Sequence, residues 1–246
     1  MNQINITPKD ISRIFWELIY GTEENFSPLD RANLLNTISK LDILRYQEIA
    51  DESSQAEVRL HYNETTGSTT PAQAIGLYYI TKYFRPLRVI EIGTWIGKST
   101  VSIASAIDTY SQAGEIVTCD VTNDIKIPFE GKTKITQFPK QDSNQMLQQL
   151  SGTYDLVFID GKIMHKDIPL LKNLITPKTI FVIDDFEGLA KGVENVSILR
   201  DKIDLLKSHY LIMPPNEKIL NDHRFKTTST TAVIVPMKTF TLAVSH

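Results

Sequence analysis

Residues 87–100 read LRVIEIGTWIGKST and run on into VSIASAID, so an apolar stretch rich in Val and Ile meets two glycines and then a helical pattern. A strand that is apolar almost throughout is buried on both faces, as in parallel sheets covered by helices. Outward from it the rhythm repeats. EIVTCD (115–120), KTKITQF (132–138), YDLVFID (154–160) and KTIFVID (178–184) are short apolar runs joined by longer segments. HYLIMPP (209–215) and STTAVIVPM (229–237) are separated by a polar loop without a convincing helix and predict an antiparallel pair. The expectation is an α/β, doubly wound sheet of seven mostly parallel strands with an antiparallel last strand.

Before this pattern the chain is of another kind. Ile11, Ile14, Phe15, Leu18 and Ile19 recur at helical spacing, and Leu34, Ile38 and Leu41 do so again. Residues 1–64 therefore read as a helical arm or lid that packs on the core or pairs two copies as a homodimer, with residues 65–246 as the main domain. The 246 residues are 41% hydrophobic and 22% charged, enough apolar material for a real core. With 26 Lys and Arg against 29 Asp and Glu, the net charge of -3 gives little attraction for nucleic acid. No apolar run is long enough to span a bilayer. The single Cys119 and the absence of a basic and apolar leader in MNQINITPKDISRIF point to the cytoplasm. Cys119 reads as a small buried hydrophobe.

The turn in 87–100 carries the first chemistry. Gly93 and Gly97 allow close approach of a ligand, but their GxxxG spacing differs from the GxGxxG that seats a pyrophosphate. A carboxylate suits the N–H groups and the Ser99 or Thr100 hydroxyl of the first helical turn, and Glu91 suits an ammonium. Asp120 ends the next strand, where an acid commonly takes ribose hydroxyls. Asp142 and Ser143 follow the third strand, placed for an adenine edge. Carboxylate, ammonium, ribose and adenine together describe S-adenosylmethionine.

A second constellation lies at two further strand ends. Asp160 closes the fourth strand, and Asp184 and Asp185 close the fifth. One helical connection makes these strands parallel, so the three acids emerge at the same edge, about 4.8 Å between strands. Like charges so close call for a cation, and an all-oxygen set suits Mg²⁺ or a similar hard ion. The plainer alternative is that one Asp caps a helix and another pairs with Lys162 or Lys191.

From about Thr65 to Val235 this ordered series of motifs resembles the class I, Rossmann-like S-adenosylmethionine-dependent methyltransferases. The acid set further resembles the cation-dependent O-methyltransferases of the catechol, caffeoyl-coenzyme A and macrocin types. The Asp-Asp pair followed by FEGLAKGV looks closer to the macrocin branch. The resemblance implies cofactor contacts at Glu91, Gly93, Gly97, Ser99, Asp120, Asp142, Ser143 and Asp160. It implies metal ligands at Asp160, Asp184 and Asp185, and a small-molecule hydroxyl as acceptor. The lysine that the catechol type carries three residues after its first ligand is Ile163 here, which leaves Lys162 and His165 to handle the proton. Segments like HYNETTGSTTPAQAIG lie over the cofactor in that family, so Thr69, Thr70 and Gln73 are further candidates, or simply a helix cap. His223 and Arg224 stand in a later loop that walls the acceptor pocket or is merely solvated.

Three other functions remain open at this level. A metal-independent methyltransferase keeps the fold without the ion. An NAD-dependent oxidoreductase lacks its GxGxxG, and a noncatalytic binding module leaves three converging acids unexplained. Base-amino methylation of nucleic acid is disfavoured, because the fourth strand ends in IDGK, not in Asn or Asp followed by two prolines and an aromatic.

Overall fold

The computed structural model describes residues 7–21, 31–41, 69–121, 127–188, 190–222, 225 and 229–237. The seven expected strands are present: β1 (Arg88–Ile92), β2 (Glu115–Asp120), β3 (Lys134–Pro139), β4 (Leu156–Ile159), β5 (Ile180–Ile183), β6 (His209–Ile212) and β7 (Ala232–Pro236). They form one sheet in the order β3-β2-β1-β4-β5-β7-β6. β1 to β5 pair in parallel, and β7 enters antiparallel between β5 and β6.

Alternate strand residues feed two cores, which is what winds the chain doubly. Val89, Ile116, Leu156, Phe158, Val182 and Val233 face one layer. Ile90, Val117, Val157, Ile159, Phe181 and Ile234 face the other. The first layer holds α1 (Pro8–Gly21), α3 (Pro71–Phe84) and α4 (Lys98–Asp108), together with the helix at residues 31–41, here α2. The second holds α6 (Ile168–Leu174) and α7 (Lys191–Lys202), with the short α5 (Ser143–Leu147) beside them. β4 and β5 are buried at every residue, as their unbroken apolar runs require.

The apolar side of α1 is used within the chain. Phe15, Trp16, Ile19 and Tyr20 are buried in the first core, each contributing roughly 1.5–3 kcal/mol. The Trp16 indole donates to the Met213 carbonyl at 2.7 Å, and the Met213 N–H donates to Ser12 Oγ at 3.0 Å. These bonds tie the arm to the end of β6. One expectation needs correction: the loop between β6 and β7 contains a helix, α8 (Glu217–Asp222). Asn216 starts it by accepting the Ile219 N–H, and Ile219 and Leu220 are buried in the first core. Two apolar residues in a polar stretch were too short a pattern to show helical spacing. Among the described residues no helix is long and apolar enough to cross a membrane.

The turns after β1 and β4 touch. Gly93 has φ +99°, and a Cβ placed on it would lie 2.7 Å from the Gly161 nitrogen. Gly93→Ala is therefore expected to lower unfolding stability by about 2–4 kcal/mol, through strain at positive φ added to a backbone clash. Urea denaturation checks this, and an unchanged midpoint would contradict the close approach.

Candidate active site

The C-terminal ends of β1, β2, β4 and β5 open into a cavity of about 720 Å³. Gly93 lies on its wall at the β1 turn, where the Gly93 and Thr94 N–H groups both donate to the Cys119 carbonyl. This crossing fixes the β1 turn against the end of β2. There Asp120 Oδ2 accepts the Trp95 N–H at 2.7 Å, and Trp95 itself takes a left-handed φ of 44°. Asp120, Val121 and Trp95 all line the cavity. Cys119 lines it too, but burial pushes its thiol up to about 12, so it is no nucleophile.

Glu91 is placed differently from the expectation of an open ammonium partner. Its carboxylate is wholly buried behind the β1 turn and accepts from the Ser99 hydroxyl at 2.6 Å and the Thr100 hydroxyl at 2.5 Å. Neither Glu91, Gly97 nor Ser99 is on the cavity wall. Burial raises the Glu91 pKa to about 7 against the pull of the three hydroxyls of Ser99, Thr100 and Thr118.

Asp142 and Ser143 both reach the wall, and both also serve the local fold. Asp142 caps α5 in a capping box with Gln145 and pairs with Lys166 at 2.8 Å, which holds its carboxyl below the usual range. Ser143 donates to the buried Asp167 at 2.6 Å.

The acid cluster is the densest part of the site. Asp160, Asp184 and Asp185 each offer an oxygen, and these atoms lie within 4.8 Å of one another. The pairing of Ile159 with Ile183 sets the two strand ends level. Asp184 is fixed through Oδ1, which accepts from Gln73 Nε2 at 2.7 Å, the Asp185 N–H at 2.9 Å and Thr230 Oγ1 at 3.0 Å. Among the described residues its Oδ2 makes no hydrogen bond, which leaves that oxygen for a cation. Gln73 serves twice, since its side chain also closes the capping box with Thr70 at the start of α3. Burial, then the charge of Asp160, raises Asp184 to about 6, and burial likewise raises Asp160. The cluster needs positive charge.

One lysine already supplies part of it. Lys191 Nζ lies 3.0 Å from Asp160 Oδ1 and 3.0 Å from Asp185 Oδ2. Burial opposes the Lys191 charge, but Asp160 and Asp185 outweigh it and raise its pKa. The first turns of α7 hold the rest of the cluster. A Cβ on Gly192 would already be 2.2 Å from the Asp184 carbonyl oxygen, so α7 packs directly on the acid turn, where Asp185 has a φ of 54°. Asn195, fully buried, donates to the Gly161 carbonyl at 2.9 Å and accepts the Ile163 N–H at 3.0 Å. Sequence reading found the acids and weighed Lys191 only as an ion-pair partner. It missed Asn195, Gly192 and Thr230, whose roles depend on contacts between distant elements.

The two proton-handling candidates separate. Lys162 lines the cavity and pairs with Glu194 at 3.0 Å, whereas His165 is exposed in a short 3-10 turn and is not on the wall. Ile163 is fully buried in the second core, so no side chain at that position could reach the site without turning the loop. Thr69 and Thr70 line the cavity with Gln73. His223 and Arg224 lie outside the described residues.

A doubly wound sheet with β7 inserted antiparallel, a glycine turn after β1 and an acid after β2 define the class I, Rossmann-like methyltransferase fold. Residues 90–186, from β1 to the acid pair, match the family described as Methyltransferase domain. Over 119 residues the chain is 29% identical to the O-methyltransferase hkm8 of Aspergillus hancockii, a match covering 46% of this chain and 44% of that protein. The chain thus spans less than half the length of that curated relative. Among solved structures it is similar to the O-methyltransferase TomG of Streptomyces achromogenes, involved in tomaymycin synthesis and solved with S-adenosylmethionine. The TM-score is 0.51 at 16% identity, covering 81% of this chain and 89% of that one. A Klebsiella pneumoniae protein with a provisional O-methyltransferase assignment gives 0.51 at 13% identity over 88% and 94%. These structural likenesses concern the fold.

The buried Glu91 generates a pH prediction. Its folded pKa of about 7 lies above the ordinary 4.5, so between these values the folded chain keeps a proton that the unfolded chain has released. Stability contributed at that site is therefore lost as pH rises through this window. Glu91→Gln should gain about 3 kcal/mol over the parent at pH 8 and nothing at pH 4. Denaturation at both pH values checks it, and an equal effect at the two would contradict a raised pKa.

Proposed function

We propose that the chain is an S-adenosylmethionine-dependent O-methyltransferase acting on a hydroxyl of a small molecule of natural-product, sugar or catechol-like type. The observation that carries this reading is the convergence, in one cavity, of the β1 glycine turn and Asp120 with the acid cluster at the ends of β4 and β5. The domain match and the O-methyltransferase relative support the reaction class.

S-adenosylmethionine would supply the methyl group as a sulfonium. In this reading Gly93 lets the donor approach the backbone, Asp120 takes its ribose, and Asp142 and Ser143 border the base. Asp160, Asp184 and Asp185 would hold a hard divalent ion such as Mg²⁺, and the donor set fits it: carboxylate oxygens only, closely spaced, and under-compensated by one lysine. Such an ion would make a hydroxyl acidic near neutral pH. The chain's own part is to orient and to exclude water. An oxyanion and a sulfonium lose charge as they react, so alignment in a dry pocket contributes much of the rate. Gln73 and Thr230 keep Asp184 aimed, and Lys162 is the proton-handling candidate that stands on the wall. A second reading, metal-independent transfer, is favoured by Lys191, whose ammonium already bridges Asp160 and Asp185.

Calorimetry should find S-adenosylmethionine binding in the micromolar range. Asp120→Ala should weaken it roughly ten- to hundredfold, the equivalent of about 1–3 kcal/mol for a lost polar contact. Unchanged affinity in a folded variant would remove Asp120 from the site.

Asp184→Asn should leave donor affinity nearly unchanged and abolish methyl transfer to catechol and glycoside acceptors. Equal turnover with excess EDTA would exclude the metal reading and leave the lysine-compensated one.

A further inference from the structure

Lys191 is the first residue of α7, and its backbone cannot move far. Gly192 packs against the acid turn, and four residues on Asn195 clamps the Gly161–Ile163 loop. Of the acids, Asp184 is held by Gln73 and Thr230, Asp160 is largely buried, and Asp185 stands on a left-handed backbone. The group with the longest reach in the cluster is the Lys191 ammonium, on a four-carbon stem whose side chain is 39% exposed.

That ammonium sits 3.0 Å from one oxygen of Asp160 and 3.0 Å from one of Asp185. A small divalent ion would need oxygens of the same carboxylates at about 2.1 Å. A dication on the same three carboxylates would lie close to the ammonium and be strongly repelled by it, so the two compete for the cluster. The buried, hydrogen-bonded Asp184 and the long flexible stem of Lys191 favour movement of the lysine, with the ion taking its place.

We propose that Lys191 is the resident counter-cation of the Asp160, Asp184 and Asp185 cluster, and that a divalent ion binds by displacing it. The inference rests on the metal reading given above and adds its control: affinity for the ion is set by competition with the chain's own lysine. In the ion-free chain Lys191 offsets part of the repulsion among the acids and keeps the two strand ends together. When the ion enters, the ammonium swings toward the cavity, which Lys191 also lines. The loss of two ion pairs is subtracted from the binding energy of the ion, so the parent chain holds it weakly. A side chain of similar length without charge removes that competition.

The test titrates Mn²⁺ and Mg²⁺ separately into the parent chain and Lys191→Met by calorimetry at pH 8. The variant is expected to bind either ion roughly ten- to hundredfold more tightly, and Lys191→Arg to stay close to the parent. Equal or weaker binding by Lys191→Met, with the parent still binding, overturns the displacement while the metal reading stands. Uptake by neither protein overturns both. A second measurement on the unaltered chain covers the case of a variant that does not fold. Acylation by an amine reagent, mapped by peptide mass spectrometry, should modify Lys191 severalfold faster in Mg²⁺ than in EDTA, with the exposed Lys178 as an unaffected reference. A rate at Lys191 that ignores Mg²⁺ overturns the proposal.

Discussion

Three carboxylates whose oxygens lie within 4.8 Å of one another repel, and much of the surrounding structure answers that repulsion. Two neighbouring parallel strands deliver the acids to one edge, because Ile159 and Ile183 pair in register. α7 then holds the ends together by three different means. Lys191 compensates charge, Gly192 permits backbone contact with the acid turn, and Asn195 ties down the loop after β4. From the opposite layer, Gln73 reaches across to Asp184. An acidic cluster without these supports would relax by turning its side chains into solvent.

The same edge carries the other half of the site. The Gly93 turn lies against Gly161, and the Asp160 and Gly161 N–H groups both donate to the Ile92 carbonyl, which ties the end of β1 to the end of β4. Asp120 and the β1 turn share a hydrogen bond through the Trp95 N–H. A ligand seated on the glycine turn is thereby held at a fixed offset from the acids. For a transfer between two bound groups, that fixed offset is what converts binding into reaction rate.

Most of the sheet was legible in the sequence because β4 and β5 are buried on both faces and show it as unbroken Val, Ile, Leu and Phe, while β1, after its first residue, is broken only by Glu91. Asp160, Asp184 and Asp185 were legible because strand ends can be counted. Less readable were features that depend on a contact rather than a period. α8 is fixed by Asn216 and two buried residues. Glu91 faces inward to Ser99 and Thr100, so its acidity serves the turn and not the cavity wall. His165, one of the two candidates to replace the missing lysine, is carried off the wall by a short 3-10 turn that sequence spacing alone does not foretell. Lys191 was visible as a possible ion-pair partner. Its bridging position follows only from the docking of α7.

The central claim is that one cavity holds a methyl donor and a divalent ion against the three acids. A crystal structure of the chain with S-adenosylhomocysteine and Mn²⁺, measured at the manganese absorption edge, tests it most directly. The account predicts an anomalous peak bounded by Asp160, Asp184 and Asp185, the nucleoside against Gly93 and Asp120, and the Lys191 ammonium withdrawn from the acids. Lys191 still bridging Asp160 and Asp185 with no manganese peak, or the nucleoside bound elsewhere, would contradict it.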